Sequence, residues 1–212
     1  MKNLYIFAGV NGAGKSTFYI NQIEANNDFY GARINSDEIV KEFGDWKNLK
    51  DQNRAGKIAL KLRKSYLDRG IDFNLETTLS GHGIVKFIQE AKNANYNITL
   101  FYVGLDSVEL SKQRVAIRTA KNGHSIDEKV LERRYTQSFE NLKKVIPFCN
   151  NIYFYDNSTV IENEEDQKLS NLKLVAVKNN EKINKASTDK FKWFEELMPI
   201  TLEKQKNNNF ER

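Results

Sequence analysis

The sequence predicts an α/β fold, with a mostly parallel sheet of about five strands flanked by helices. Two observations carry this expectation. Short apolar runs rich in aromatic and β-branched residues alternate along the chain with segments of helical periodicity. Such alternation is typical of parallel strands joined by crossover helices. In addition, a glycine-rich turn, GVNGAGKS, stands directly between the first apolar run and the first helical segment, which is typical of a phosphate-binding α/β protein.

The strands are predicted from apolar runs and the helices from apolar residues at helical spacing. The clearest helix covers residues 52–69 and ends at Gly70, its expected C-cap. The expected strands lie at 4–8, 33–34, 71–77, 97–105 and 151–155, with LKLVAV at 172–177 as the last. The expected helices follow the GVNGAGKS turn and cover about 36–43, 52–69, 82–95, 106–121, 125–147 and 189–205.

Three polar residues are expected to begin helices. Ser36 stands at the start of SDEIVKEF and is a preferred N-cap residue. Asp106 and Ser125 each have a glutamate three residues later, which is the pattern of a capping box.

Length and composition exclude several classes of protein. The 212 residues predict one domain, 1–212, large enough to bury its own core. One cysteine, Cys149, excludes an intramolecular disulfide and a cysteine zinc cluster, which fits a cytoplasmic protein. No segment approaches the roughly 18 apolar residues of a membrane span. The 33 basic and 28 acidic residues give a net charge of +5 that is scattered along the chain; this mild excess permits anionic ligands without predicting a nucleic-acid partner.

The segment from Gly9 to Ser16 matches the pattern G-x-x-x-x-G-K-[ST], with an apolar strand before it and a helix after it. Glycines let backbone N–H groups converge on a phosphate, and the helix N-terminus adds about half a positive charge. Lys15 would reach the β- and γ-phosphates, and Ser16 would bind Mg²⁺. We therefore predict a P-loop NTPase fold that uses ATP and Mg²⁺. The expected nucleotide-binding residues are Gly9, Asn11, Gly12, Ala13, Gly14, Lys15, Ser16 and Thr17.

The P-loop alone does not separate a kinase from other NTPases. Guanine-specific GTPases use Asn-Lys-x-Asp, but the nearest segment, 184–187, reads Asn-Lys-Ala-Ser. An ABC-type ATPase remains an alternative, because LSGHG at 79–83 is similar to the LSGGQ signature. However, Ser107 follows Asp106 where such an ATPase has a catalytic glutamate. A nucleic-acid end kinase is a third candidate, although the tyrosines that would stack on bases lie in apolar strands, at Tyr5, Tyr102 and Tyr153.

Two carboxylates favour the kinase. Asp37 follows the second strand and would face the γ-phosphate from the acceptor side, where it would take the proton of an acceptor hydroxyl. Glu76 ends the third strand beside Thr77, at the sheet edge where ligands bind in parallel α/β proteins. We expect Glu76 to hold a sugar hydroxyl or a Mg²⁺-bound water, with Thr77 as a second substrate-binding residue.

Basic residues on the next two helices are candidates for stabilising the transferring phosphate. Arg114 and Arg118 are four residues apart and therefore share one helix face. Arg133 and Arg134 lie on the following helix, and His124 lies in the turn between the two helices. Positive groups placed around a phosphoryl group neutralise the charge that spreads over its oxygens. We expect Arg114, Arg118 and Arg134 to be catalytic, and Arg133 and His124 to contact substrate.

The ordered set IFAGVNGAGKST, INSDEI, ETTLSG, RVAIRTAKNGHSIDEKVLERRYTQSFENL and YDNS resembles the zeta-toxin-like P-loop kinases over roughly residues 1–180. The closest likeness is to the small chromosomal branch often labelled "predicted ABC-type ATPase". This resemblance implies a kinase that moves the γ-phosphoryl group of ATP to the sugar 3′-hydroxyl of UDP-N-acetylglucosamine.

The resemblance also implies roles for particular residues. Lys15 and Ser16 would serve ATP and Mg²⁺, Asp37 would activate the hydroxyl, and Glu76 with Thr77 would hold the substrate. Arg118 would contact the transferring phosphate, together with either Arg133 or Arg134. The sequence departs from the better-known toxins where Glu76 is followed by Thr-Thr instead of Gly-Thr.

Two further expectations come from the same resemblance. The residues at about 107–146 would form a helical lid over ATP. In this family a small helical antitoxin blocks the ATP site. Because the first strand begins at about Asn3, any antitoxin of this protein is expected to be a separate chain.

Overall fold

The computed structural model describes residues 1–26, 30–120, 126–159 and 172–198. The strands in this part of the chain are β1 (Lys2–Gly9), β2 (Ala32–Ile34), β3 (Phe73–Thr77), β4 (Tyr96–Gly104), β5 (Asn151–Asp156), β6 (Lys173–Asn179) and β7 (Lys182–Lys185). They form one sheet in the order β2-β3-β1-β4-β5-β6-β7. The part from β2 to β5 is parallel, and β6 and β7 join it in antiparallel pairings. The mostly parallel sheet that the sequence predicts is confirmed.

Helices lie between the strands, as the alternating pattern predicts. They are α1 (Lys15–Asn26), α2 (Ser36–Lys41), α3 (Leu49–Arg69), α4 (Ile84–Asn93), α5 (Val108–Ala120), α6 (Glu128–Val145) and α7 (Lys192–Glu195), with a 3₁₀ turn at Ile146–Phe148. Gly70 ends α3 with a left-handed φ of 67°, so the expected C-cap is confirmed. None of the described helices is both long enough and apolar enough to cross a membrane.

The central strands bury side chains on both faces of the sheet. Along β1, Leu4 and Ile6 belong to one buried cluster, while Phe7 belongs to another cluster on the opposite face. Successive side chains of a strand point to opposite faces, so a strand covered on both sides must be apolar nearly throughout. This explains why β1 and β4 have the most continuous apolar runs in the sequence. The polar residues that follow these strands are thereby left at the carboxyl edge of the sheet.

Three expected N-caps are wrong by one or two residues. Asn35, not Ser36, begins α2, because its side chain accepts a hydrogen bond from the Asp37 N–H at 2.9 Å. Ser107, not Asp106, begins α5 by accepting the N–H three residues later at 3.1 Å. Asp127 likewise begins α6, at 3.2 Å, and the expected cap at position 125 lies outside the described residues. A short side-chain oxygen in each case satisfies an amide that the helix itself leaves unpaired.

The expected count of about five strands is too low. The expected strand at 172–177 is confirmed as β6, but β7 was not expected from the polar sequence KINK. The chain turns at Asn180, which has a φ of 51°, and β7 then pairs with β6 at the edge of the sheet. A mostly exposed edge strand needs no apolar alternation, so its sequence carries little signal.

The expected helix over 189–205 begins later, at Lys192, and is interrupted in the described part of the chain. The helical turn α7 is followed by a turn at 196–197, and the positions from 199 onward lie outside the described residues. Trp193, Phe194 and Leu197 are nonetheless buried, at 3%, 2% and 0% exposure. Adjacent apolar residues that both pack inward do not suit one face of a long helix, and this explains the difference from the expected element.

The indole of Trp193 fixes the end of β5, beside the P-loop. Its Nε1 donates a hydrogen bond to Asp156 Oδ1 at 2.9 Å, and its ring lies against the backbone of Gly104 at the end of β4. A Cβ at position 104 would lie 2.2 Å from an indole carbon. Since the ring is buried and rigid, only glycine leaves room for it there.

We expect Gly104→Ala to lower the free energy of unfolding by about 1–3 kcal/mol, because the added methyl group displaces the buried indole of Trp193. Urea denaturation followed by fluorescence measures this change. Gly81→Ala is the matched control, since a Cβ at position 81 meets no atom within 4 Å. Equal stability of the two variants would contradict the packing described here.

Candidate active site

The P-loop between β1 and α1 is held by the ends of two neighbouring strands. Gly9 has a φ of +143°, and a Cβ there would lie 2.2 Å from the carbonyl oxygen of Val103 in β4. Gly14 has a φ of +89°, and a Cβ there would lie 2.9 Å from Asn157 Nδ2. The same Asn157 amide donates a hydrogen bond to Ala13 O at 3.0 Å. The loop therefore depends on glycine both for its conformation and for the close approach of β4 and β5.

Helix α5 supports the P-loop from another side. Ser111 Oγ donates to the carbonyl of Asn11 at 2.7 Å. Arg114 donates from Nη1 to Gly12 O at 3.4 Å and from Nη2 to Thr159 O at 2.8 Å. Arg114 is only 5% exposed, although it shares its helix face with an exposed arginine. The structure thus places Arg114 against the loop backbone, whereas the sequence analysis expects it to be catalytic.

Lys15 lies at the centre of the charged residues that the sequence analysis selected. Its Nζ donates to a backbone carbonyl of the P-loop at 2.9 Å. Burial is the largest influence and lowers the pKa of Lys15. Glu76 and Asp37 act to raise that pKa, whereas Arg118 and Arg134 act to lower it. These four side chains, drawn from four different elements, therefore lie close enough to Lys15 to act on its charge.

Glu76 connects the P-loop to the start of α2. Ser16 Oγ donates to Glu76 Oε1 at 2.6 Å. The other carboxylate oxygen, Oε2, accepts from Arg33 Nη2 at 2.9 Å and from Asn35 Nδ2 at 3.0 Å. Since Asn35 also caps α2, the carboxylate fixes the helical turn in which Asp37 lies. Asp37 itself is exposed and lines the same cavity as Lys15.

Arg33 was not selected by the sequence analysis, yet it orders this edge of the sheet. Its guanidinium also contacts Glu38 at 2.8 Å and lies 3.5 Å from the ring centroid of Tyr19. It therefore pairs with two carboxylates while stacking on an aromatic ring, which suits arginine and not lysine. Arg33 lies in the middle of β2 opposite Asn74, and its guanidinium reaches Glu76 only because β2 pairs with β3.

The remaining candidates occupy different surroundings. Arg118 and Arg133 are exposed, while Arg134 is half-buried. Burial lowers the pKa of Arg134, Arg133 lowers it further, and Asp37 raises it. Thr77 Oγ1 accepts the N–H of Leu79 at 3.0 Å, so its hydroxyl also shapes the turn after β3. His124 lies outside the described residues.

Most of these groups line a single cavity of about 1300 Å³. Its walls are the P-loop, the start of α2, one face of α3, the β3–α4 turn and the arginine-bearing faces of α5 and α6. Of the described residues that the sequence analysis selected, all but Gly9 and Ala13 line it. Asp106, which the ATPase alternative requires beside the nucleotide, does not line it, and its carboxylate accepts from the N–H of Trp193 at 3.4 Å. The geometry therefore favours a kinase.

Comparison with known proteins agrees with this geometry. The family model described as "Zeta toxin" matches residues 1–174. The chain belongs to the zeta toxin family. The resemblance found in its motifs is thereby confirmed, and with it the P-loop kinase class, an ATP-dependent phosphotransferase.

Individual proteins that resemble this zeta toxin chain share between 14% and 32% of its residues in the aligned regions. An uncharacterized protein of Haemophilus influenzae is 32% identical over 136 residues, which make up 64% of this chain and 94% of that protein. A chain from the PezAT chromosomal toxin–antitoxin system of Streptococcus pneumoniae is 18% identical, with a TM-score of 0.53, over 100% of this chain and 88% of that chain. The AvrRxo1-ORF1:-ORF2 structure with ATP is 14% identical, with a TM-score of 0.64, over 95% of this chain and 64% of that chain. The two structures support the shared fold.

We expect Asn157→Leu to weaken ATP binding by about tenfold, because it leaves Ala13 O without its donor and lets the P-loop shift. Equilibrium titration with a fluorescent ATP analogue measures the change. Asn97→Leu is the control, since it removes another side-chain donor, to Asn3 Oδ1, near the start of β4. An unchanged affinity in Asn157→Leu would show that β5 does not hold the loop.

Proposed function

We propose that this zeta toxin family member transfers the γ-phosphoryl group of ATP to a sugar hydroxyl, with Asp37 as general base. One observation supports this most strongly: Asp37 and the P-loop Lys15 line the same cavity, and the Asp37 carboxylate acts to raise the pKa of Lys15. A carboxylate at that place suits removal of a proton from an acceptor hydroxyl. The arginines on α5 and α6 complete a site for a highly charged transferring group.

The P-loop residues fit a nucleoside triphosphate with Mg²⁺. Gly12 and Gly14 both line the cavity. A Cβ at position 12 would press against α5 and one at position 14 against Asn157, so this close-packed loop needs glycine at both positions. Ser16 and Glu76 present a hydroxyl and a carboxylate 2.6 Å apart, which are oxygen ligands of the type that Mg²⁺ takes together with phosphate oxygens. When bound, Mg²⁺ neutralises phosphate charge.

In the proposed reaction the acceptor oxygen attacks the γ-phosphorus as the bond to the β–γ bridging oxygen breaks, and ADP leaves. Asp37 takes the proton of the attacking hydroxyl. Lys15, Arg118 and Arg134 stabilise the charge on the transferring group, with Arg133 as a further substrate contact. Arg114, held by two backbone carbonyls, acts by fixing the P-loop.

UDP-N-acetylglucosamine is the acceptor that we propose, with its sugar 3′-hydroxyl as the reacting group. Membership of the zeta toxin family supports this substrate. The cavity volume of about 1300 Å³ also supports it. Pockets for one small ligand are commonly about 300–1,000 Å³, so this cavity has room for an acceptor as well as a nucleotide. Glu76 and Thr77 lie at the end of β3, where they would hold the sugar. A separate antitoxin chain that blocks this cavity is the partner that we propose on the same grounds.

We expect Asp37→Asn to lower phosphoryl transfer about 10²–10⁴-fold while ATP still binds, because the amide cannot take the hydroxyl proton. Purified protein, Mg²⁺ and γ-labelled ATP are mixed with UDP-sugars, nucleosides and 5′-hydroxyl oligonucleotides, and labelled products are separated. Label on UDP-N-acetylglucosamine would support the proposed acceptor.

Glu42→Gln is the matched control for this experiment, since Glu42 lies just after α2, is exposed and does not line the cavity. Its transfer rate is expected to equal that of the wild type. Label that appears only as free phosphate, at the same rate in Asp37→Asn, would contradict the kinase mechanism and favour an ATPase.

A further inference from the structure

The face of α3 that lines the cavity carries a half-buried cationic group with no assigned role. Residues 53, 56, 60, 63 and 67 recur at helical spacing along this face, and all of them line the cavity. Among them, Arg63 is the charged residue. It lies beside α4, with its guanidinium carbon 5.8 Å from the ring centroid of Phe87, which lines the same cavity.

Arg63 makes no hydrogen bond or ion pair with any of the residues that the structure describes. Its Nε is buried without an acceptor. Burial lowers the pKa of its guanidinium, and no nearby carboxylate offsets that effect. Arginine nevertheless stays protonated in proteins. A half-buried charge with a buried, unpaired N–H and no counter-charge among the described residues is costly, so its presence in a cavity wall favours an anionic ligand.

The surrounding side chains make this part of the cavity positive. Lys64 and Lys86 line it together with Arg63, against the single carboxylate of Glu90. The two lysines have exposed partners, Asp68 at 3.6 Å and Glu90 at 3.8 Å. Ion pairs as exposed as these contribute little and exchange readily for another anion. Arg63 differs from both lysines because none of the described carboxylates forms an ion pair with it.

We propose that Arg63 binds an anionic group of the acceptor, a carboxylate or a phosphate, in the α3–α4 part of the cavity. The planar guanidinium offers parallel N–H donors that match the oxygens of either group. Phe87 supports the guanidinium, and the exposed Leu60 provides apolar surface for the remainder of the acceptor. The inference rests on the proposed kinase function, because it makes the ligand at this place the phosphoryl acceptor.

Binding is tested first, without any reaction. Protein with Mg²⁺ and the non-hydrolysable analogue AMP-PNP in the P-loop is titrated with inorganic phosphate or acetate at constant ionic strength. The Nε–H signal of Arg63 is followed by NMR and assigned by its loss in Arg63→Lys. We expect a saturable shift with at least one anion, and the stronger of the two identifies the group. The affinity measured by calorimetry is expected to fall at least about tenfold in Arg63→Gln.

Lys61→Gln is the matched control, because Lys61 is an exposed residue of α3 that does not line the cavity and its replacement removes the same charge. We expect it to bind both anions as the wild type does. The absence of a saturable shift with either anion, or equal affinity in wild type and Arg63→Gln, would overturn the proposal.

Transfer is tested next with neutral acceptors and their anionic counterparts: glucose against gluconate, and N-acetylglucosamine against its 1-phosphate and against UDP-N-acetylglucosamine. We expect Arg63→Gln to raise KM for the charged member about tenfold, with a smaller change in kcat and none for the neutral member. Equal losses for both members would overturn the proposal.

The two measurements separate the inference from the kinase function. If anion binding depends on Arg63 but none of the acceptors receives label, the anion site stands and the proposed reaction fails. If label is transferred but neither binding nor KM depends on Arg63, the reaction stands and the anion site fails.

Discussion

The carboxylate of Glu76 is the contact on which the arrangement of the site depends. One of its oxygens accepts from Ser16 of the P-loop, and the other accepts from Arg33 and from Asn35, the cap of α2. A single side chain at the end of β3 thus joins the phosphate-binding loop to the helical turn that carries Asp37. Hydrogen bonds to an ionised acceptor are among the stronger ones in proteins, which makes this link rigid. Rigid placement of the reacting groups is what phosphoryl transfer chiefly requires of a protein.

The P-loop is supported in turn by parts of the chain far from it in sequence. Asn157 reaches it from the end of β5, and Trp193 holds that end through Asp156. Arg114 reaches it from α5. The C-terminal packing therefore affects the nucleotide side of the site without contacting it. This is consistent with a fold in which a buried sheet supplies the framework and residues beyond the strand ends supply the chemistry.

Sequence reasoning predicted the local parts of this site and missed those that depend on packing. The P-loop pattern lies within eight consecutive residues, and Glu76 follows a recognisable strand, so both were selected. Arg33 reaches Glu76 only when β2 pairs with β3, and Arg63 reaches Phe87 only when α3 lies beside α4; neither neighbour can be inferred from the local sequence. Arg114 and Arg118 have the same helical phase, yet one is buried against the P-loop and the other is exposed. Periodicity gives the face of a helix but not what covers each turn of it.

A double-mutant cycle on the single-turnover rate of phosphoryl transfer tests whether the Glu76 network places Asp37 for catalysis. Asn35→Ser keeps an N-cap oxygen for α2 but removes the amide that donates to Glu76. We expect a loss of about tenfold in an otherwise wild-type protein, since small misplacements of a reacting group are costly. We expect no further loss when Asp37 is already asparagine. Equal losses in both backgrounds would show that Asn35 acts independently of Asp37 and that the network does not place it.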